Sequence, residues 1–103
     1  MRKGYNKVIF AGRVHRSPEL RRTPHGVAVG TFSLLVPKSK EKEDDLFVDV
    51  VAFRTLAEEY CPVLMNGKAV LVEGTLAPCQ WNKVDGAIRN TYEVRASLIR
   101  IID

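Results

Sequence analysis

The sequence lacks the features that mark membrane-spanning and secreted proteins. No stretch of the 103 residues approaches the roughly 18 consecutive apolar residues that a transmembrane helix needs. The first residues, MRKGYNKVIFAGR, contain neither the apolar region nor the small-residue cleavage site of a signal peptide. We therefore expect a cytoplasmic protein that has no membrane partner.

Cysteine is scarce, and the two cysteines do not form a recognisable site. Cys61 and Cys79 are not spaced as a CxxC unit, so we expect two free thiols, one of them buried. A zinc site would need His15 and His25 to converge with both cysteines, and the spacing does not favour that. We expect neither a metal nor another cofactor.

Catalytic patterns are also missing. The sequence contains no visible set of nucleophile, base and orienting residue, and no Gly-rich phosphate-binding loop. Asp49, Glu58 and Glu59 are the acidic side chains closest to such a pattern, and they are divided between a strand and a helix. The sequence therefore predicts a protein without catalytic residues that is not an enzyme.

Positive charge is abundant and unevenly distributed. The net charge is +4, from 16 Lys and Arg against 12 Asp and Glu. Four of the acids lie in EKEDD at 41–45, so the other residues carry 15 positive charges against 8 negative. A basic field of this kind attracts a polyanion and speeds encounter with it. A surface that only keeps the protein soluble is the alternative interpretation.

The hydrophobic pattern predicts strands with one helix. The predicted helix covers 55–67 and should be limited or kinked by Pro62, while SPELRRTPHG is predicted as a turn-rich connection and 38–45 as a polar loop. Five strands and one helix between strands three and four predict an all-β, five-stranded OB-fold barrel, of the oligonucleotide/oligosaccharide-binding type, as a single domain over 1–103. The predicted strands are 7–14, 26–36, 46–53, 68–76 and 91–102.

The third predicted strand, LFVDVVAF, carries two aromatic rings six residues apart. Because side chains alternate along a strand, Phe47 and Phe53 share one face with Asp49 and Val51. Exposed rings beside positive charge suit unpaired bases, since every base offers a π-face. Packing of both rings in the core is the alternative. The opposite face is an apolar stripe that we expect in the core: Leu46, Val48, Val50 and Ala52.

Several segments, in this order, resemble the bacterial single-stranded DNA-binding protein family. They are GYNKVIFAGRV, the PEL-R-TPHGVAVGTFSL stretch at 18–34, the VAF–LAE–Y run at 51–60, GKAVLVEGTL, and W–DG. The wider family includes the small primosomal replication protein, which shares the barrel. The resemblance implies a barrel that wraps unpaired DNA over its face and hairpins. It also implies homodimers paired through strand one and, usually, homotetramers.

The resemblance also implies functional residues. Phe47, Phe53 and Trp81 fall where the family has base-stacking aromatics. Arg54 is the strongest basic candidate, because it follows Phe53 directly and a guanidinium plane can itself stack on a base. Nothing in the sequence reads base edges from a groove-fitting helix, so binding should be independent of sequence and strongly salt-dependent. The other predicted phosphate contacts are Lys7, Arg13, Arg21, Arg22 and Lys83, with Lys3 as a weaker candidate.

The sequence departs from the family pattern in two respects. Lys40 and Arg22 stand where the family often has aromatic residues. The family also typically continues into a flexible tail with an acidic tip that recruits replication and repair proteins, whereas this sequence stops at IRIID. A trimmed chain, a tailless member and the primosomal relative are the alternatives.

The prediction is therefore sequence-independent binding of single-stranded DNA by stacking and a basic phosphate track. Such binding would protect unpaired DNA in replication, recombination and repair, in the bacterial cytoplasm at the nucleoid. An adaptor of replication restart that mainly binds proteins is the alternative function, and RNA is an alternative ligand.

Overall fold

A computed structural model describes the backbone of residues 3–82 and 88–102, and the side chains of 3–79 and 91–102. Within these ranges, six strands and one short helix follow one another along the chain. They are β1 (Val8–Val14), β2 (Glu19–Arg22), β3 (Ala28–Val36), β4 (Leu46–Phe53), α1 (Arg54–Tyr60), β5 (Ala69–Asn82) and β6 (Ile88–Ile101).

Five of the strands form a closed ring. The order in the sheet is β1-β5-β6-β4-β3-β2, and β1 also pairs with β3. All pairings are antiparallel except that of β4 with β6, which is parallel. The ring is therefore β1-β5-β6-β4-β3, and β2 lies outside it along β3. The predicted OB-fold barrel is confirmed, with the helix between the third and fourth strands of the ring in chain order.

The ring closes through a short seam at the end of β1. Arg13 and Val14 pair with Leu35 and Leu34 of β3. A Cβ atom at Gly12 would collide with the carbonyl oxygen of Leu35, so only glycine permits this crossing. A glycine inside a strand often marks a bulge or bend. Instead, the β1–β5 register runs through it without a shift, and the glycine is needed for close approach.

Aliphatic side chains fill the interior of the ring. Each Val or Leu fully removed from water contributes roughly 1.5–3 kcal/mol before the entropy of ordering is subtracted. Helix α1 adds Ala57 to the same cluster, and the segment after it adds Leu64. The largest fully buried side chains are Leu34, Leu64, Val14, Val50, Val70, Val72 and Val94.

Helix α1 is shorter than the sequence predicts. It ends at Tyr60, whereas the hydrophobic spacing suggested a helix to residue 67. Pro62 explains the difference, because it has no N–H to donate and its ring clashes with the carbonyl four residues earlier. The expected limit at Pro62 is thus confirmed, and the extent of the helix was overestimated.

Strand β2 was not predicted. Residues 19–22 were interpreted as part of a turn-rich connection, but they pair with β3 from Glu19 opposite Thr31 to Arg22 opposite Ala28. All four residues of β2 are exposed. The strand therefore lacks the alternation of apolar and polar side chains on which the prediction depended.

The cysteine prediction was correct in one respect. Both thiols are free, but Cys61 and Cys79 are each only half-buried, so the expectation of one buried cysteine was wrong. Cys61 lies against β3, where a Cβ atom at Gly30 would meet its sulfur. The absence of that Cβ lets the end of α1 approach the barrel.

Candidate functional site

The outward face of β4 presents both predicted aromatic rings to solvent. The side chain of Phe47 is 57% exposed and that of Phe53 is 39% exposed. Their six-residue separation corresponds to about 20 Å in an extended strand. In the β3–β4 register, Phe47 lies opposite Leu35 and Phe53 opposite Val29. The predicted exposure of both rings is therefore confirmed.

Two other residues of β4 do not follow the prediction. Leu46, expected in the core, is 47% exposed, and Val51, on the face of the rings, is only 4% exposed. Leu46 begins the strand, beside the loop and away from the middle of the barrel. Val51 lies between two paired strands, opposite Thr31 and Arg95. Position along the strand therefore overrides strict alternation.

His15 contacts Phe47 edge to face. The ring centroids are 5.1 Å apart, with an angle of 75° between the planes. The backbone N–H of His15 donates to the carbonyl of Ser33 at 2.9 Å, which extends the seam between β1 and β3. An edge-to-face pair contributes about 0.5–1.5 kcal/mol beyond area burial. Sequence reasoning did not associate His15 with Phe47, because the contact depends on barrel closure.

β5 and β6 extend beyond the ring as a two-stranded arm. β5 pairs with β1 as far as Gly74, and β6 pairs with β4 at Val94 and Arg95. Beyond these points the two strands pair only with each other, from Ala77 opposite Glu93 to Asn82 opposite Ile88. We call residues 77–82 and 88–93 the β5–β6 arm.

The predicted stacking residue Trp81 belongs to this arm. Its backbone pairs with Arg89 near the end of β5, while its side chain lies outside the described part of the chain. Lys83 also lies outside the described residues. The roles assigned to both therefore remain predictions.

An open groove of about 580 Å³ crosses the outward face of β3 and β4, from β2 to the β5–β6 arm. Arg16 and Arg21 form one side, Cys79 and Glu93 of the arm form the other, and Asp49 contributes to the floor. The remaining lining residues are Ser17, Glu19, Val29, Thr31, Phe32, Ser33 and Val50.

The two arginines on the β2 side of the groove are available to bind an anionic ligand. Arg21 Nη2 lies 2.9 Å from Glu19 Oε2, but both side chains are highly exposed. An exposed pair of this kind contributes at most about 1 kcal/mol. Arg16 is exposed and has no carboxylate within salt-bridge distance among the described residues. Either guanidinium can therefore bind a phosphate at little cost.

The opposite side of the groove is acidic. Glu93 Oε1 lies 4.0 Å from Nε of Arg95, and Asp49 Oδ1 accepts a hydrogen bond from the Ser33 hydroxyl at 3.2 Å. Burial raises the pKa of the Cys79 thiol, and the neighbouring carboxylates of Glu93 and Asp49 raise it further. Cys79 is therefore a protonated thiol at neutral pH.

The other predicted phosphate contacts whose side chains the structure describes do not line the groove. Arg13 donates to the carbonyl of Gly67 at 2.8 Å. Nη1 of Arg22 lies 3.4 Å from the carbonyl of Gly26 and 3.5 Å from Oε1 of Glu58. Lys3 and Lys7 are exposed in the segment before β1. Of the eight predicted site residues whose side chains the structure describes, only Arg21 lines the groove.

Arg54 follows Phe53 directly and has a left-handed backbone, with φ of +58°. This conformation costs a non-glycine residue of the order of 1–2 kcal/mol. Strain of this kind often occurs at functional sites, where the surrounding structure maintains it. Arg54 is exposed beside the half-exposed ring of Phe53.

Sequence reasoning missed Arg16, Cys79 and Glu93 as neighbours in one site. Arg16 precedes strand β2, which was not predicted. Cys79 and Glu93 lie on the arm, and the sequence predicted that the β5 strand of the arm ends at residue 76, whereas it continues to Asn82. The alternation of Glu93 with Tyr92 and Val94 was visible in the sequence. Only the strand order could bring Glu93 close to β3 and β4.

Two other features were sought in the described part of the chain, a metal-binding group of side chains and a membrane-spanning helix. Residues 3–82 and 88–102 contain no group of three or more His, Cys, Asp and Glu side chains that could hold a metal ion. Nor does any helix in these ranges have the length and apolarity needed to cross a membrane.

The closed five-stranded ring, with exposed aromatic side chains and a groove that contains two arginines on its outer surface, defines an OB-fold barrel with the features of an oligonucleotide-binding protein. Residues 5–102 match the model of the single-strand binding protein family. The chain therefore belongs to the single-strand binding protein family.

Curated relatives cover nearly the whole chain. It is similar to single-stranded DNA-binding proteins of Helicobacter hepaticus, with 34% identity over 96% of the chain, and Thermotoga maritima, with 37% over 96%. It is also 35% identical, over 95% of its length, to single-stranded DNA-binding protein 2 of Staphylococcus aureus. The chain spans 62%, 74% and 72% of these three relatives, respectively.

The effect of the groove carboxylates can be tested by measuring the reactivity of the Cys79 thiol. Glu93→Gln should lower the pKa of the Cys79 thiol and speed its alkylation by iodoacetamide, because it removes a neighbouring negative charge. Mass spectrometry of the labelled peptides at several pH values measures the rate, which in the unmodified protein should still be rising at pH 9.0.

Cys61 provides the internal reference for this experiment. Burial alone raises its pKa, so its labelling rate should not respond to Glu93→Gln. An unchanged rate at Cys79, or equal changes at both cysteines, would contradict the arrangement described for the groove.

Proposed function

We propose that this chain binds single-stranded DNA without dependence on sequence, and that it protects unpaired DNA in replication, recombination and repair. The observation that supports this most directly is the exposure of Phe47 and Phe53 on the strand that borders the groove. Two exposed rings about 20 Å apart can accept bases at separate points along one strand. The relatives named above are single-stranded DNA-binding proteins, which supports the same ligand for this chain.

The proposed mechanism combines stacking with phosphate neutralisation. Bases stack on Phe47, Phe53 and Trp81, and each such contact contributes about 1–3 kcal/mol with little dependence on base identity. Arg16 and Arg21 bind phosphates in the groove, and Arg54 does so beside Phe53. The further basic contacts in this proposal are Lys3, Lys7, Arg13, Arg22 and Lys83.

The proposal includes self-association through β1, as a homodimer or homotetramer. Over Val8–Gly12, the edge of β1 that faces away from β5 pairs with no strand among the described residues. An open edge of this kind accepts a strand from another chain. Ile9 on its outward face is 54% exposed, which adds apolar area to such a contact.

The proposed role needs neither catalysis nor a cofactor. The protein would act in the bacterial cytoplasm, at the nucleoid, where unpaired DNA arises. Replication and repair proteins are the further partners in this proposal.

The DNA-binding proposal is tested first by fluorescence. Trp81 is the only tryptophan, so its emission reports on the predicted stacking site at the end of β5. Oligo-dT should quench the emission, duplex DNA of equal length should not, and added salt should weaken the effect. Equal quenching by duplex DNA would remove single-strand stacking at Trp81 as the explanation. Weak binding by a dimeric protein would favour the adaptor function.

Phe47→Ala should weaken binding to oligo-dT by about 1–3 kcal/mol, because it removes one stacking surface. Phe47→Trp should retain most of the affinity. Tyr92→Ala is the matched control, since this ring is 63% exposed but lies next to Glu93 in β6 and so faces away from the groove. Equal losses for Phe47→Ala and Tyr92→Ala would count against a stacking role of Phe47.

Arg54→Gln should flatten the dependence of log K on log salt by about 0.7 for one lost phosphate contact. Arg54→Lys, which keeps the charge, should leave the slope unchanged. Titrations at several salt concentrations give both slopes. Identical slopes for all three proteins would show that Arg54 makes no phosphate contact.

Ile9→Glu should lower the molar mass in solution, because it puts a charge on the outward face of β1. Size-exclusion chromatography with light scattering measures this mass. Val63→Glu is the control, since Val63 is 47% exposed in the segment after α1 and away from β1. If Ile9→Glu has the mass of the unmodified protein, association through β1 is wrong.

A further inference from the structure

His15 is a titratable side chain that lies beside one of the proposed stacking rings. Its imidazole centroid is 5.1 Å from the ring centroid of Phe47, and the two ring planes meet at 75°. Both residues are exposed. An edge-to-face contact covers only part of a ring, so Phe47 keeps surface on which a base can stack. A base stacked there has the imidazole as a neighbour, and its phosphate is only one sugar away.

The seam of the barrel fixes the backbone that carries this imidazole. Val14, the preceding residue, pairs with Leu34 and is buried. The N–H of His15 donates to the carbonyl of Ser33 at 2.9 Å. To the other described residues the imidazole itself makes no hydrogen bond and no ion pair. The backbone thus holds the ring beside Phe47, while its nitrogen atoms stay available to a ligand.

Charges of both signs surround His15. The cations are Arg13 in β1 and Arg16 in the segment that follows β1, and both are exposed. β3, the strand beside His15, contains no titratable side chain. Asp49 of β4 lies across Ser33 and accepts a hydrogen bond from its hydroxyl at 3.2 Å. No carboxylate of the described residues lies within salt-bridge distance of His15. A proton on the imidazole would therefore leave a positive charge that no direct partner neutralises.

We propose that His15 is a proton-dependent phosphate contact, which strengthens the binding of single-stranded DNA at Phe47 when its imidazole is protonated. The base stacks on Phe47, and the imidazolium donates a hydrogen bond to the adjoining phosphate. A neutral imidazole has one N–H donor and no charge, whereas the protonated form has two donors and a positive charge. This inference rests on the proposed DNA-binding function.

The direction of the pH dependence follows from the charge of the ligand. A phosphate beside the imidazole favours its protonated form, so DNA binding takes up a proton and affinity rises as the pH falls. Histidine ordinarily titrates at about pH 6.5, carboxylates titrate below about pH 5, and thiols titrate above about pH 8. Thymine stays neutral over the range between these limits. Binding of oligo-dT between about pH 5.5 and about pH 8 therefore reports mainly on histidine.

A competing explanation gives His15 only a packing role against Phe47. In that case the imidazole helps to hold the ring in place, and its charge has no effect on the ligand. Replacing His15 then lowers the affinity for oligo-dT by the same factor at every pH. The two explanations therefore differ in the change of affinity with pH, and not in the affinity at any one pH.

The experiment measures the binding of end-labelled oligo-dT by fluorescence anisotropy at constant ionic strength, between about pH 8 and about pH 5.5. The affinity of the unmodified protein should rise by about fivefold, the size expected for one charge-assisted contact at an exposed site. His15→Phe keeps an aromatic ring against Phe47 but cannot take up a proton, so most of this rise should disappear. His15→Gln should have the same effect.

The other histidine of the chain provides the matched control. His25 is exposed in the turn between β2 and β3. His25→Gln removes one titrating imidazole, as His15→Gln does, but it leaves the neighbour of Phe47 unchanged. The rise in affinity at low pH should therefore persist in His25→Gln.

The outcomes separate this inference from the function on which it rests. If the unmodified protein shows no rise, or if His15→Phe and His15→Gln keep the full rise, phosphate binding by His15 is wrong and single-strand binding stands. If oligo-dT binds no more tightly than duplex DNA of equal length at any pH, the proposed function itself is wrong. A rise that is lost in both His15 variants and kept in His25→Gln supports the contact.

Discussion

The short seam between β1 and β3 is the contact on which the geometry of the surface depends. Only Arg13 and Val14 pair across it, and the missing Cβ of Gly12 lets the backbone of β1 approach the carbonyl of Leu35. Closure brings His15 from the end of β1 to the ring of Phe47. It also leaves most of the second edge of β1 open. The same crossing therefore shapes both the proposed DNA-binding face and the proposed surface for self-association.

The groove exists because two strands are longer than the ring requires. β5 and β6 each have 14 residues, and their distal parts pair only with each other. An isolated two-stranded ribbon is marginally stable in water, so the arm depends on the ring to anchor its base. Held in this way, it carries Cys79 and Glu93 to the groove opposite β2. Neither the ring nor the arm would form this site alone.

The surface carries charges of both signs close together, which the net charge of +4 does not show. Cations supply affinity for a polyanion and speed its arrival. Within the groove, the carboxylates of Glu19, Asp49 and Glu93 oppose that attraction. Two of them lie beside cations, because Glu19 pairs with Arg21 and Glu93 lies 4.0 Å from Arg95. The groove is therefore mixed in charge and not uniformly cationic.

The class of fold and the exposure of two aromatic rings could be predicted from the sequence alone. Alternation along β4 is a local property, so the common face of Phe47 and Phe53 could be read directly, and turn residues delimited most of the strands. Burial at Leu46 and Val51 could not be read in this way, because it depends on how far each residue lies from the rim of the barrel. The folded structure was needed to find three further features: strand β2, the His15–Phe47 contact and the groove. Their residues are distant in the chain or lack apolar alternation, and strand order and barrel closure alone bring them together.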